Sequence, residues 1–124
     1  RRIRATFEGK PGHLARGLVE SNGKYIDREG IRKELEIVKN TWPELREKIR
    51  NQIIPFDEVH DCLRRVGAPY EPEMIGVSRE KLRSTFRAIP FMRNRFTGID
   101  LIYRAGLMDE VEEYLFGAGG HYEC

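Results

Sequence analysis

Thr41-Trp42-Pro43-Glu44-Leu45-Arg46-Glu47-Lys48-Ile49-Arg50-Asn51-Gln52-Ile53-Ile54-Pro55 is the stretch that decides the fold class. Leu45, Ile49 and Ile53 recur at i, i+4 and i+8, which lays one apolar stripe along a helix. Thr41 with Glu44 three residues on has the spacing of a capping box, and Pro43 suits a first turn. Pro55 stops the run. Upstream, Asp27 takes an N-cap position before Ile31, Leu35 and Val38 at i, i+4 and i+7. Downstream, Phe56, Val59, Leu63 and Val66 line the next helix, and Gly67 supplies its stop.

The same punctuation continues to the C-terminus. Residues 68–76 hold Pro69 and Pro72 and read as an ordered connector with one helical turn. Ser78 caps a helix whose expected buried face is Leu82, Phe86 and Ile89, and Pro90 must break or kink it. Leu101, Ile102 and Ala105 precede a Gly106 stop, and Leu107, Val111, Tyr114 and Leu115 form the apolar side of the last helix. No strictly alternating strand and no internal repeat is present. The expected fold is all-α, a small bundle of about five to six helices.

With 124 residues the chain is expected to be a single helical domain. That length is too short for a dinucleotide-binding half joined to a complete substrate half. Residues 1–25 are expected to be weakly ordered or variable. Gly9, Lys10, Pro11 and Gly12 read as a loop, and Gly17 and Gly23 interrupt or flank a short helix from His13 to Glu20. Gly117, Ala118, Gly119 and Gly120 read as a flexible tail. Hydrophobic residues at 40% and charged residues at 34% describe a polar chain with enough apolar content for a core. The apolar runs are a few residues long, so no membrane span is expected. Arg1, Arg2, Ile3 and Arg4 lack the apolar centre of a secretion signal. Opening on Arg1 without a methionine is expected of a processed or cut-down piece. Two cysteines, Cys62 and Cys124, make neither a disulfide framework nor a four-thiolate metal site, and a cytoplasmic location is expected.

Charge is distributed unevenly behind a net value of +2. Arg79, Lys81, Arg83, Arg87, Arg93 and Arg95 stand against Glu80 alone, whereas Asp109, Glu110, Glu112, Glu113 and Glu123 follow Leu107 with no Lys or Arg among them. Arg79, Arg83 and Arg87 repeat at i, i+4 and i+8, off the face of Leu82 and Phe86. Two readings stand: a solvated face paired to the acidic last helix, or recognition of a phosphoryl group or another anion. Arg93 and Arg95 lie between the basic and acidic segments and are expected to hold the last helix through Glu110, Glu112 or Glu113. Nucleic acid is not an expected partner. The charge is modest, and aromatics do not alternate with the basic residues as a stacking platform requires.

The remaining chemistry-bearing residues carry less. His13, His60 and His121 show no i, i+4 metal-ligand spacing, so no metal site is assigned. Asp57 lies at i−3 from His60 and can raise its basicity, with Asp61 beside it, although an exposed polar face is the plainer reading. Cys62 reads as a small, buried or half-buried hydrophobe rather than a nucleophile. Neither Gly9 and Gly12 nor the tail glycines sit between a strand and a helix, so no nucleotide fingerprint is present and no catalytic or cofactor-binding residue is assigned.

One stretch resembles a known family. Leu63-Arg64-Arg65-Val66-Gly67-Ala68-Pro69-Tyr70-Glu71-Pro72-Glu73-Met74-Ile75-Gly76-Val77-Ser78 resembles the late helical domain of the sn-glycerol-1-phosphate dehydrogenase family. There, a helix ends in a Gly-Ala-Pro turn before a Pro-x-x-Ile-Gly step and a new helix. Leu82 to Ile89, the Arg-x-Arg-aromatic-Thr signature at Arg93, Arg95, Phe96 and Thr97, Leu101, and Gly106-Leu107 extend the likeness. Trp42 to Pro55 looks like the preceding helix, so the resemblance spans residues 42–115. It lies within the superfamily of iron-containing alcohol dehydrogenases and dehydroquinate synthase.

That resemblance implies a parent enzyme with a nucleotide-binding α/β half, NAD(P), and a divalent metal such as zinc held by one Asp and two His. His13 precedes Leu14 where the family's late ligand precedes glycine, so no ligand carries over, and Pro90 stands where the family has an alanine-like residue. The chain is therefore expected to be the C-terminal helical domain or fragment of a metal- and NAD(P)-dependent polyol-phosphate oxidoreductase, inactive alone. Its expected partner is the missing N-terminal nucleotide-binding half, and self-association through uncovered apolar surface is expected as well. The alternative is a stand-alone helical interaction module presenting the Arg79, Arg83 and Arg87 face to an acidic partner.

Overall fold

The computed structural model describes residues 2–124, so what the sequence suggests at Arg1 lies outside them. The protein is all-α. Its elements are α1 (Arg2–Thr6), α2 (Pro11–Asn22), α3 (Arg28–Gln52), α4 (Phe56–Arg65), α5 (Arg79–Phe86), α6 (Gly98–Ala105) and α7 (Met108–Phe116), with 3-10 turns at Pro72–Ile75 and Ile89–Phe91. They form two compact units, one built from residues up to Asp27 together with Arg79–Cys124, the other from Arg28–Ser78.

Two of the stops read from the sequence close by the same pair of bonds. At the end of α4, Gly67 takes φ +71°, its N–H donates to Arg64 O, and the Ala68 N–H donates to Leu63 O at 3.0 Å. Gly106 at φ +79° repeats the pattern after α6, with its own N–H on Tyr103 O and the Leu107 N–H on Ile102 O at 3.0 Å. A left-handed residue is what allows both bonds, and glycine adopts it without a Cβ clash.

The unit containing both termini holds the core. Phe86, Met108 and Phe116 are buried together, with Leu82, Ile102, Val111, Leu115 and Tyr122 packed around them. The Phe86 and Phe116 rings meet edge to face at 5.9 Å, and Phe116 also packs on Tyr122 at 6.0 Å. A second aromatic string runs from Phe7 through Phe91 to Tyr103, with centroid separations of 6.4 and 5.5 Å. α2 meets this string at Gly17, where a Cβ would stand 2.8 Å from the Phe7 ring. Glycine here lets α1 lie close against α2.

Several expectations change on this frame. The N-terminal stretch carries α1 and α2, and Phe7 within it is buried. α5 ends at Phe86, before Pro90, so Ile89 falls in the following 3-10 turn and is exposed instead of completing a buried face. On α7 the inward side chains are Met108, Val111, Glu112, Leu115 and Phe116, whereas Tyr114 and Leu107 face solvent. The glycine-rich tail folds back on α7: the Tyr122 N–H donates to Leu115 O at 2.9 Å and the Cys124 N–H to Phe116 O at 3.1 Å.

In the second unit, one 25-residue helix replaces the two expected. Thr41 does not cap a new helix; its Oγ1 donates to Ile37 O at 2.9 Å, one turn back. Pro43 is accommodated inside α3 at the cost of the bond its missing N–H would give Lys39 O. The helix continues because Val38 and Leu45, seven residues apart, stay on one face. α4 follows, and His60 on it sits between the Phe56 and Tyr70 rings, at 5.6 and 4.9 Å. Among the described residues, none in Arg28–Ser78 is fully buried.

Candidate functional site

The arginine stripe of α5 meets the acidic face of α7, and the pairing is internal to the terminal unit. Arg83 Nε donates to Glu112 Oε1 at 3.0 Å. Arg87 Nη2 donates to Asp109 Oδ1 at 2.6 Å, and its Nε lies 2.5 Å from Glu112 Oε2 in an ionic contact not aligned as a hydrogen bond. Arg79 reaches past them to His121 O at 3.1 Å. The Glu112 side chain is 11% exposed, so α7 buries a carboxylate at its interface with α5 and two guanidinium groups bracket it. Both arginines are held above their ordinary range. For Arg83 the leading cause is the hydrogen bond to Glu112, and for Arg87 it is the bond to Asp109. Permanently charged, they act as a clamp on α7.

Arg93 and Arg95 do not share in it. Both are exposed, and among the described residues no ion pair joins either to α7. The role expected of them falls to Arg83 on α5 and to Arg87 just past its end, while Arg93 and Arg95 lie beyond the turn at Ile89–Phe91.

A second polar centre, not anticipated from the sequence, lies in the same unit. Lys24, just past α2, places Nζ 2.5 Å from Asp100 Oδ1 and 2.6 Å from Pro90 O. Both charged side chains are under a tenth exposed. Asp100 Oδ2 accepts from the Thr97 N–H at 2.8 Å and from Thr97 Oγ1 at 2.9 Å, completing a capping box on α6. Arg104 donates to Lys24 O at 2.6 Å and lies over the Phe96 ring. Lys24 thus ties the end of α2 to the Pro90 turn and the start of α6. The Thr97-x-x-Asp100 spacing could have been read as a cap; nothing in the sequence marks Lys24.

Beside the Arg87–Asp109 pair a cleft of about 500 Å³ opens, lined by Thr6, Ser84, Arg87, Phe91, Tyr103 and Asp109 among others. Its one guanidinium is already matched by Asp109 and Glu112, so the cleft presents no free positive charge to an anion. In the other unit, His60 Nε2 pairs with Glu71 Oε1 at 2.9 Å, so its carboxylate partner comes from the connector and not from Asp57. Asp61 pairs with Arg64. Cys62 and Cys124 are free and exposed, which corrects the reading of Cys62 as a packed hydrophobe.

The glycines do not form the strand–turn–helix cradle that the nicotinamide cofactor implied by the resemblance would need. Gly117 to Gly120 are followed by the returning chain at Tyr122, with no helix to direct amides at a phosphate. Gly9 precedes α2, but no strand precedes Gly9 among the described residues. No helix of the described residues is long and apolar enough to cross a membrane. Comparison of the chain with protein-family models, curated proteins and solved structures gives no match.

Proposed function

We propose that this chain is the non-catalytic helical part of a glycerol-1-phosphate dehydrogenase-like, metal- and NAD(P)-dependent polyol-phosphate oxidoreductase acting in the cytoplasm. The observation that carries the reading is the order of turns over residues 63–107. A Gly67-Ala68-Pro69 helix stop leads to a Pro72–Ile75 turn closed by Gly76, then α5, then the Thr97 cap of α6 and the Gly106 stop. This is the sequence of steps on which the resemblance rests. When bound, the nicotinamide carries the hydride and the divalent metal polarises the substrate oxygen. Those groups belong to the nucleotide-binding half and to metal ligands that this chain does not supply.

The residues in hand do structural work in this reading. Arg83, Arg87 and Glu112 fix α7 on α5, and Lys24 with Asp100 fixes α2 to α6, giving a rigid body for the catalytic half to close against. The alternative module, with an open arginine face for an acidic partner, is disfavoured because Asp109 and Glu112 already occupy Arg83 and Arg87. Calorimetric titration of this chain with NADH and with Zn²⁺ is expected to give no site-specific heat. The protein encoded when the reading frame is followed upstream through a glycine-rich α/β segment is expected to reduce dihydroxyacetone phosphate with NAD(P)H. Tight cofactor binding by this chain alone, or an upstream frame with no such segment, would overturn the proposal.

A further inference from the structure

Once the arginine clamp and the Lys24 centre have formed, the terminal unit is left with two exposed patches of opposite charge. Arg93 and Arg95 stand on the loop between the Ile89–Phe91 turn and α6, flanked by Met92 and Phe96, which are about half exposed. The two acids that contact this loop are already taken. Glu20 lies 2.5 Å from Arg16 through one oxygen and accepts the Asn94 N–H at 3.0 Å through the other. Asp100 is held by Lys24 and Thr97. On α7, Asp109 and Glu112 are occupied by Arg87 and Arg83, whereas Glu110 and Glu113 are exposed and carry no ion pair among the described residues. Glu110, Glu113 and the strongly exposed Tyr114 stand at i, i+3 and i+4, on one outward face.

We infer that the Arg93 and Arg95 loop of one copy docks on the Glu110, Glu113 and Tyr114 face of a second copy of this chain. Charge chooses the occupant, because each patch is the complement of the other and every copy carries both. The spacing agrees. Two residues of non-helical chain span at most about 7 Å, and side chains one turn apart on a helix stand about 5–6 Å apart, so two guanidinium groups can meet two carboxylates together. Met92 and Phe96 then cover the Tyr114 ring. The pairing that the sequence suggests between these arginines and the last helix is made between copies and not within one. One face meets a different face, so the contact is heterologous and every copy both gives and receives it. Exposed charges make a weak contact, so association sets in at about 0.1–1 mM and leaves unfolding midpoints in dilute solution unchanged. The contact draws on side chains of the terminal unit alone and survives failure of the dehydrogenase reading.

The test is sedimentation equilibrium of the whole chain up to about 1 mM, under reductant so that the exposed Cys62 and Cys124 cannot crosslink. The average mass is expected to rise above 14.5 kDa with concentration and to fall back in about 0.5 M salt. Arg93→Glu with Arg95→Glu sets acid against acid, and Glu110→Lys with Glu113→Lys sets base against base. Each swap is expected to weaken association roughly tenfold or more. The fourfold variant carrying both swaps keeps the net charge of +2 and has complementary patches again, in reverse. It is expected to associate as the unaltered chain does, which neither a misfolded swap nor a change in net charge would produce. A monomer at every concentration, association indifferent to the swaps, or no recovery in the fourfold variant would overturn the inference.

Discussion

Replacing Lys24 by Met keeps most of the side-chain length and removes the charge at an enclosed ionic contact of the terminal unit. Asp100 then retains its Thr97 donors on Oδ2 but loses the ammonium 2.5 Å from Oδ1, and Pro90 O loses its 2.6 Å donor. With the Asp100 side chain 8% exposed, water cannot replace the lost cation freely. Breaking one side of such a pair costs about 3–5 kcal/mol, far more than an exposed ion pair would. For a unit of this size that corresponds to a fall in midpoint of roughly 12 °C or more. Asp100→Asn is expected to cost slightly less, because Asn still accepts from Thr97. The double variant leaves no unpaired buried charge at this contact, so its loss should fall short of the sum by about 2 kcal/mol. Urea unfolding followed by far-ultraviolet circular dichroism gives all three numbers. Single losses below about 1 kcal/mol that add without coupling would refute the assignment of this pair as the tie between α2 and α6.

Two further perturbations separate the clamp from the core. Arg87→Ala is expected to cost about 1 kcal/mol in dilute buffer and much less in about 1 M salt, since Arg87 is half exposed. Asp109 raises the folded-state proton affinity of Arg87, so its contribution is complete below the ordinary arginine range and is lost only above it. The Arg87→Ala loss should therefore be equal at about pH 7 and about pH 10, and Arg93→Ala with Arg95→Ala should leave the midpoint unchanged. Phe116, 2% exposed, is expected to cost about 3–5 kcal/mol on truncation to Ala. Tyr114→Ala, two positions away and 80% exposed, should stay within about 0.5 kcal/mol; comparable losses at the two sites in chemical denaturation would mean that the inward face of α7 is misplaced.

What could be read beforehand depended on how local the controlling physics is. Glycine stops at Gly67 and Gly106 close on carbonyls within five residues, so the chain itself carries the signal. The helical period of α3 and α4 is local too, although propensity rules alone gave Pro43 a helix start where the stripe from Val38 to Leu45 carries the helix through. Which face turns inward is decided across the molecule. Tyr114 and Phe116 are equally apolar in sequence, and it is Phe86 and Tyr122, from α5 and the returning tail, that select Phe116. The charge stripe shows the same division. Its periodicity placed Arg79, Arg83 and Arg87 on one helix face, while only the register of α5 on α7 shows Glu112 entering between Arg83 and Arg87 and leaving Arg93 and Arg95 outside. Lys24 and Asp100 stand 76 positions apart, a separation no residue pattern encodes, and their contact exists because α1 and α2 close on the Pro90 turn. A buried charge pair of that kind contributes less to net stability than to which elements meet. The Lys24→Met and Asp100→Asn cycle is therefore also a measure of how firmly the N-terminal helices, absent from the likeness over residues 42–115, belong to the same body as α6.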